Sequence, residues 1–439
     1  MCQNKVLNLI TYGCQMNKYD SETIAGILQD YSLSNELTEA DVVLVNTCAV
    51  RQHAEDKLYS LLGRLSKIKD IKPDFKIGVC GCVAQQQGNN LIRKFPSVDL
   101  VIGPDNLNRL PDLLDKVYKG GKIVLTEHQP LPDDTLPSKR MNKIKAYVPI
   151  TIGCNNRCTY CVVPYTRGSL RSKPAYQIID EIKKLVESGY QEITLLGQNV
   201  NDYGIDFRET KLDFRELLIM ISNINGLKRI RFITSHPKNF NYELINTIPQ
   251  LKNICAYIHL PIQSGSDKIL KLMNRGYTLK FYQQLVEYLR EKVPEVSLTT
   301  DLIVGFPGEE EEDFEKTLKV VEEIKFDSAF TFKYSPRPNT ESASFPNQIP
   351  EEIKQKRLEK LIELTSRITK QKNQQLVGKT TEILIEGKNP QDPSFLMGKT
   401  KTDKVVFIPS NGKSLMGEFV NVKLIRCGTF SFKGELINS

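Results

Sequence analysis

Histidine is scarce in this 439-residue chain, which has only His53, His128, His236 and His259. That scarcity narrows the ways in which a histidine could complete a zinc site. Long apolar runs are missing as well, and no stretch approaches the roughly 18 uninterrupted apolar residues of a membrane span. The N-terminus, Met1-Cys2-Gln3-Asn4-Lys5-Val6, lacks a basic region followed by a long apolar core. No secretory leader is read there, and a cytoplasmic protein that avoids membranes is expected. Ten cysteines over this length are too few and too scattered for a disulfide scaffold. In a reducing compartment, metal or cluster ligation is the better use of such thiols. Charge excess is small, 60 basic against 52 acidic residues, or +8. It leans toward a polyanionic partner, although a lysine-rich composition gives the same value.

What is present is a globular composition long enough for roughly two to three domains. In residues 4–119, apolar runs at Val6 to Ile10, Asp41 to Val45, Lys76 to Val79 and Asp99 to Ile102 alternate with helical patterns such as Leu58, Leu61, Leu62 and Leu65. Alternation of this kind predicts a doubly wound parallel sheet covered on both faces. Residues 120–140, with Gly120-Gly121, Pro130, Pro132, Asp133-Asp134 and Pro137, read as a linker. From 140 to 371 six strand-like runs recur, at Ala146 to Ile152, Glu192 to Leu196, Arg229 to Ile233, Ala256 to Leu260, Ser297 to Val304 and Ser328 to Phe332. Helical patterns between them predict a TIM-like, partial barrel whose active site lies on the loops after the strands. Residues 372–437 carry Thr381 to Glu386, Val405 to Ile408, Glu418 to Ile425 and Thr429 to Leu436 between turn residues. These predict a small antiparallel β-barrel.

The chemistry concentrates in cysteine. Cys154, Cys158 and Cys161 share one loop after the first barrel strand. Three thiolates so close suit a metal or an iron-sulfur cluster, and a cubane held by three would keep one iron open for a further ligand. A structural zinc site is the alternative, but no histidine lies beside the triplet at zinc-finger spacing. Cys14, Cys48 and Cys82 each follow one of the first three strands, 34 residues apart in both steps. Carboxyl ends of parallel strands share one edge, so these three should meet in space as a second thiolate site, unless they are simply buried and inert. Cys80, Cys255 and Cys427 read as filler, and Cys2 as a terminal thiol.

Polar, turn-rich loops follow the later strands: Gly197-Gln198-Asn199, Ser235-His236-Pro237, Gln263-Ser264-Gly265-Ser266, Gly305-Phe306-Pro307-Gly308-Glu309 and Tyr334-Ser335-Pro336-Arg337-Pro338. His236 reads as a structural histidine or a substrate contact. Lys354 to Lys379 reads as an amphipathic helix with Lys354, Lys356, Arg357, Lys360, Arg367, Lys370, Lys372 and Lys379 against Glu359 and Glu363. Such a face could follow a phosphate backbone or simply be solvated. Lys399, Lys401 and Lys404 could contact nucleic acid.

Cys-x3-Cys-x2-Cys with Tyr160 before the last cysteine is the signature of radical S-adenosylmethionine (SAM) enzymes. With Tyr12-Gly13-Cys14-Gln15-Met16-Asn17, Val162-Val163-Pro164-Tyr165-Thr166-Arg167-Gly168, Ser235-His236-Pro237 and the Gly398-Lys399-Thr400-Lys401-Thr402 stretch, nearly the whole chain resembles the radical SAM methylthiotransferases of MiaB type. That resemblance implies an N-terminal methylthiotransferase domain, a radical SAM core and a C-terminal TRAM domain. It implies two 4Fe-4S clusters, one on Cys14, Cys48 and Cys82 and one, with SAM, on the catalytic Cys154, Cys158 and Cys161. It implies methylthiolation at C2 of N6-(dimethylallyl)adenosine beside the tRNA anticodon, with SAM as both radical source and methyl donor. Expected partners are the anticodon stem-loop and a low-potential donor such as flavodoxin or ferredoxin, with the enzyme a monomer. Tyr160, Gly197, Gln198, Ser264 and Gly265 are candidates for SAM contacts. Ser172-Lys173 departs from the Ser-Arg common in the family; lysine keeps the charge and gives up the bidentate fork. The other acceptors within the family are threonylcarbamoyl-adenosine of tRNA and a ribosomal protein. Outside it, the alternative is an iron-sulfur or zinc RNA-binding protein without turnover.

Overall fold

The computed structural model describes residues 5–131, 136–209, 212–410, 412 and 414–437. Cys2, and Pro132, Asp133 and Asp134 of the expected linker, lie outside the described residues.

The N-terminal sheet has six parallel strands in the order Ser32–Leu33, Val6–Tyr12, Val42–Thr47, Lys76–Gly81, Leu100–Ile102, Ile123–Leu125. Val42–Thr47 is buried at every position, as an apolar run between two helical layers must be. Alternate residues serve opposite layers. Val43 and Val45 pack with Leu58, Leu61, Leu62 and Leu65 of the helix Gln52–Ile71. Val42 and Leu44 pack with Ile24 of the helix Gln15–Ile27 and with Leu110, Leu113 and Leu114 near Leu110–Tyr118. Each fully buried leucine stabilises the packing by about 1.5–3 kcal/mol. The sheet runs past residue 119, because Ile123–Leu125 pairs with Leu100–Ile102 inside the stretch read as linker. One further short strand, Ser32–Leu33, escaped the reading, since two residues carry too little periodicity to register.

The central region forms two three-stranded parallel sheets, Lys145–Pro149 with Glu192–Leu196 and Arg229–Phe232, and Tyr257–His259 with Ser297–Val304 and Ser328–Lys333. A parallel bridge between Ile230 and Ile254 joins them. The result is a six-stranded open barrel, and Val148, Leu195, Phe232, Ile258 and Leu298 share its apolar core with the surrounding helices.

Several basic residues of the helix Glu351–Gln374 pair with carboxylates of this barrel, while Lys356 and Lys370 are exposed. Arg357 pairs with Glu309 at 2.8 Å and Glu311 at 3.0 Å, Lys360 with Glu315 at 2.6 Å, Arg367 with Glu322 at 3.1 Å and Lys372 with Asp327 at 2.6 Å. Lys354 is buried and donates to the Tyr334 carbonyl. A charge count along one helix overlooked carboxylates supplied by its neighbours.

At the C-terminus a closed barrel runs Thr380–Lys388, Phe395–Thr400, Val405–Pro409, Ser431–Leu436, Phe419–Cys427 around Ile383, Ile385, Leu396, Val406, Ile408, Val422, Leu424 and Phe432. Phe395–Thr400 was not foreseen as a strand. Its end docks on the central barrel: Arg229 Nη1 donates to Lys399 O at 2.8 Å, and Arg231 donates to Thr400 O at 2.6 Å and Lys401 O at 3.0 Å. Lys399 pairs with Asp403, Lys404 with Asp327, and Lys401 donates to Lys252 O. Lys401 and Lys404 thus reach across the seam to the central domain, and Lys399 is held within its own barrel. Among the described residues, no helix is long and apolar enough to cross a membrane.

Candidate active site

The loop holding Cys154, Cys158 and Cys161 begins at Gly153, whose φ of +82° is left-handed and whose hypothetical Cβ would meet Ser169 O at 2.1 Å. Only glycine fits there. Gly153 N donates to Gln198 Oε1 at 2.5 Å and Cys154 N to Gly168 O at 3.1 Å. The far side of the loop is pinned by Thr159, whose N and Oγ1 donate to Met273 O at 3.2 Å and Leu272 O at 2.9 Å. Asn156 Nδ2 lies 3.6 Å from Cys154 Sγ, and Arg275 Nη1 lies 3.4 Å from Cys158 Sγ. Burial pushes the Cys154 thiol up, and burial with the charge of Cys158 pushes Cys161 up to about 12. These thiols hold their protons until a ligating cation displaces them.

Cys14, Cys48 and Cys82 come together at the carboxyl edge of the N-terminal sheet. Cys14 opens the helix Gln15–Ile27, Cys48 follows Val42–Thr47, and Cys82 opens the short helix Cys82–Gln87. The first two flank the point where strand order reverses, where folds of this type build ligand sites. A hydrogen bond from Cys48, opposed by burial and assisted by Arg167, draws Cys14 down to about 6. Cys48 rises correspondingly as the donor, and burial raises Cys82. Beneath them Asn17 and Asn46 clasp each other, with Asn17 Nδ2 to Asn46 Oδ1 at 3.0 Å and Asn46 Nδ2 to Asn17 O at 2.9 Å. Gly81, at φ +87°, leaves room for Asn46 Oδ1, which a Cβ would meet at 2.3 Å.

A cavity of about 610 Å³ lies between the N-terminal domain and the barrel, with Cys161 on its wall. Val50, Arg51, Gln52 and His53 line it from the N-terminal sheet, and Tyr160, Cys161, Asp301, Ile303, Phe332 and Lys354 are among its residues from the barrel. Arg337 ties the walls together, donating to Gln52 Oε1 at 2.6 Å and Val50 O at 2.9 Å.

Comparison with known proteins places this geometry. Residues 148–321 match the Radical SAM superfamily, 6–103 the Uncharacterized protein family UPF0004, and 374–437 the TRAM domain. The chain is 48% identical over 440 residues to the tRNA-2-methylthio-N(6)-dimethylallyladenosine synthase of Moorella thermoacetica, covering 99% of each. It is 46% identical to the synthase of the same name from Thermodesulfovibrio yellowstonii, covering 100% of each. The chain belongs to the tRNA-2-methylthio-N(6)-dimethylallyladenosine synthase family. In fold it is similar to the radical SAM methyltransferase TsrM from Kitasatospora setae, with a TM-score of 0.57 at 14% identity, covering 77% of this chain and 75% of that one.

Radical SAM family members use a 4Fe-4S cluster and SAM, and the residues present fit such a group. Within each trio the thiols are near enough to shift one another's protonation. Among the described residues, no three His, Cys, Asp or Glu side chains converge as a single metal ion requires. A cluster instead asks for one thiolate per iron corner, close but not convergent. At the same barrel edge, Ser235 Oγ and His236 Nε2 are buried without a partner among the described residues, a sign of polar groups reserved for a ligand. His236 is otherwise fixed by Asn201, which accepts from its N at 2.7 Å and donates to its O at 3.0 Å.

The other candidates are placed unevenly. Gln198 is spent on Gly153, and Tyr160 packs edge-on to Phe306. Gly265 N donates to Thr317 Oγ1 at 3.0 Å, and buried Ser264 packs against the same hydroxyl, so both support the helix Glu311–Ile324. Lys173 pairs with Glu181 at 2.7 Å, in a buried network with Arg140 and Glu22, and is no anion clamp. Arg275 escaped sequence reasoning, and Arg167 and Arg337 stood in stretches singled out there without a role of their own, because a lone arginine in a loop carries no periodic or spacing signal.

Proposed function

We propose that this chain methylthiolates C2 of N6-(dimethylallyl)adenosine beside the anticodon of tRNA, giving 2-methylthio-N6-(dimethylallyl)adenosine. The observation that carries this reading is the gathering of two three-cysteine groups, Cys14 with Cys48 and Cys82 and Cys154 with Cys158 and Cys161, beside a cavity that Cys161 and the segment Val50 to His53 line. Hydrogen at C2 of adenine is not acidic and the carbon is no ordinary electrophile, so acid–base catalysis has little purchase there. Cys154, Cys158 and Cys161 would hold a 4Fe-4S cluster that with SAM would supply the radical, and Cys14, Cys48 and Cys82 would hold a second, at which the sulfur to be methylated by another SAM and transferred would be kept.

The chain's own residues hold and shape. Gly153, Gln198, Thr159 and Arg275 fix the loop so that its three thiols present together. Asn17, Asn46 and Arg167 do the same for the other trio. Ile303, Phe332 and Leu358 give the cavity an apolar wall, and Arg51 adds a cationic donor to it. An anticodon-loop base can be splayed from its stack into such a chamber. The partners of this reading are the tRNA anticodon stem-loop and a low-potential donor of the flavodoxin or ferredoxin class, acting on a cytoplasmic monomer.

The test uses the reconstituted chain, SAM, dithionite and a synthetic anticodon stem-loop bearing N6-(dimethylallyl)adenosine. Nucleoside mass spectrometry should show the 2-methylthio product, and none from a stem-loop with unmodified adenosine. SAM cleavage with unchanged RNA would move the acceptor to threonylcarbamoyl-adenosine or a ribosomal protein. No SAM cleavage would leave an iron-sulfur or zinc RNA-binding protein.

A further inference from the structure

Arg167 belongs to the central domain by sequence and to the N-terminal site by position. It follows the one-turn helix Val163–Thr166, six residues beyond Cys161, and is only 3% exposed. Its Nε donates to Cys82 Sγ at 3.3 Å. Its Nη2 and Nη1 donate to the two oxygens of Asp20 at 2.5 and 3.4 Å. Asp20 is itself buried, on the helix that Cys14 opens. The segment before Arg167 is anchored as firmly, because Val162 packs in the same apolar cluster as Cys82, Val83 and Ala84.

A buried ion pair alone is weak evidence for stability, since apolar residues of similar shape often do as well. Asp20 uses the two terminal nitrogens of the guanidinium, which leaves Nε–H aimed at sulfur. That geometry serves the thiolate rather than the pair.

We propose that Arg167 is a positioning residue of the N-terminal sulfur site: from the central domain it orients Cys82 and, held by Asp20, fixes a positive charge beside the sulfur-bearing group. The inference rests on the reading that Cys14, Cys48 and Cys82 hold an iron-sulfur cluster. Hydrogen bonds to ligating sulfur and nearby charge are the protein's levers on a cluster's potential. The cation favours the more reduced, more negative state of whatever Cys82 ligates. It also makes the N-terminal site incomplete without the central domain.

The experiment uses the full-length chain with Cys154→Ala, Cys158→Ala and Cys161→Ala, so that only the N-terminal trio loads from ferrous iron and sulfide. Iron per chain is measured and the midpoint potential titrated by electron paramagnetic resonance. Arg167→Gln should lower the potential and Asp20→Asn should raise it, with Arg167→Lys between Arg167→Gln and the parent. Opposite signs mark an electrostatic role, because a structural brace would be weakened alike by both changes. Potentials that stay equal, or move in the same direction, overturn the proposal. Should Arg167→Gln fail to load, Asp20→Asn decides, an upward shift supporting and no shift overturning it. A parent chain that takes up no iron would instead sink the two-cluster reading itself.

Discussion

Arg275 Nη1 donates to Cys158 Sγ at 3.4 Å while Nη2 of the same guanidinium donates to Pro261 O at 2.9 Å. One buried cation therefore joins the cysteine loop to the strand end after Tyr257–His259. Arg275→Met should lower the melting temperature by an amount equivalent to about 1–3 kcal/mol, the cost of stranding buried acceptors. With Cys14, Cys48 and Cys82 replaced by alanine, the same change should lower the midpoint potential of the remaining site. Calorimetry and a redox titration check the two halves separately.

Gly153→Ala should empty the core trio. A left-handed φ of +82° strains alanine, and its Cβ would lie 2.1 Å from Ser169 O and 2.6 Å from Gly168 O. Backbone strain of this kind costs about 1–3 kcal/mol before the clash is counted. Relief requires moving the loop, which breaks the contact from Cys154 N to Gly168 O. Iron analysis should find loading lost at Cys154, Cys158 and Cys161 and kept at Cys14, Cys48 and Cys82.

Much of this architecture was legible because parallel strands buried on both faces leave near-continuous apolar runs, as in Val42 to Val45 and Ser297 to Val304. The spacing of Cys14, Cys48 and Cys82 became informative once each fell at a strand's carboxyl end. What failed has a common cause. Phe395–Thr400 is half glycine and polar residues, and its inward positions Leu396, Gly398 and Thr400 become a barrel wall only when neighbouring strands supply the rest. Arg357 and Lys372 looked like an anion-binding face until Glu309, Glu311 and Asp327 arrived from other elements. Arg167 and Arg275 reach sulfur across 85 and 117 residues of sequence, a distance no local pattern encodes.

The C-terminal barrel should come loose when Arg231 is removed. Arg231 Nε pairs with Glu192 at 2.9 Å and its terminal nitrogens donate to Thr400 O and Lys401 O. Arg231→Met would leave the buried Glu192 carboxylate only Arg229, 3.7 Å away, and would strand the Thr400 and Lys401 carbonyls, a loss of about 1–3 kcal/mol at the seam. Limited proteolysis should then cut faster near residues 374–380, at the end of the helix Glu351–Gln374. Tighter RNA binding by this variant would argue that the seam does not organise the domains.

Stability should fall below pH 6.5 through His236. Burial, with the charges of Arg275 and Lys238 nearby, lowers its pKa from 6.5 to about 2. The unfolded chain takes up a proton below 6.5 while the native ring stays neutral, so this stability is complete above pH 6.5 and is lost as pH falls. The slope is about 1.4 kcal/mol per pH unit, or about 2 kcal/mol at pH 5. Melting temperatures of wild type and His236→Gln across pH 5–8 should converge on acidification if His236 carries this loss.

The most direct measurement is mass spectrometry of tRNA nucleosides from cells lacking this gene, complemented with wild type or with either trio changed to alanine. The two-site reading predicts that 2-methylthio-N6-(dimethylallyl)adenosine disappears, that its unthiolated precursor accumulates, and that only wild type restores the product. Full restoration by the Cys14, Cys48 and Cys82 triple variant would contradict it.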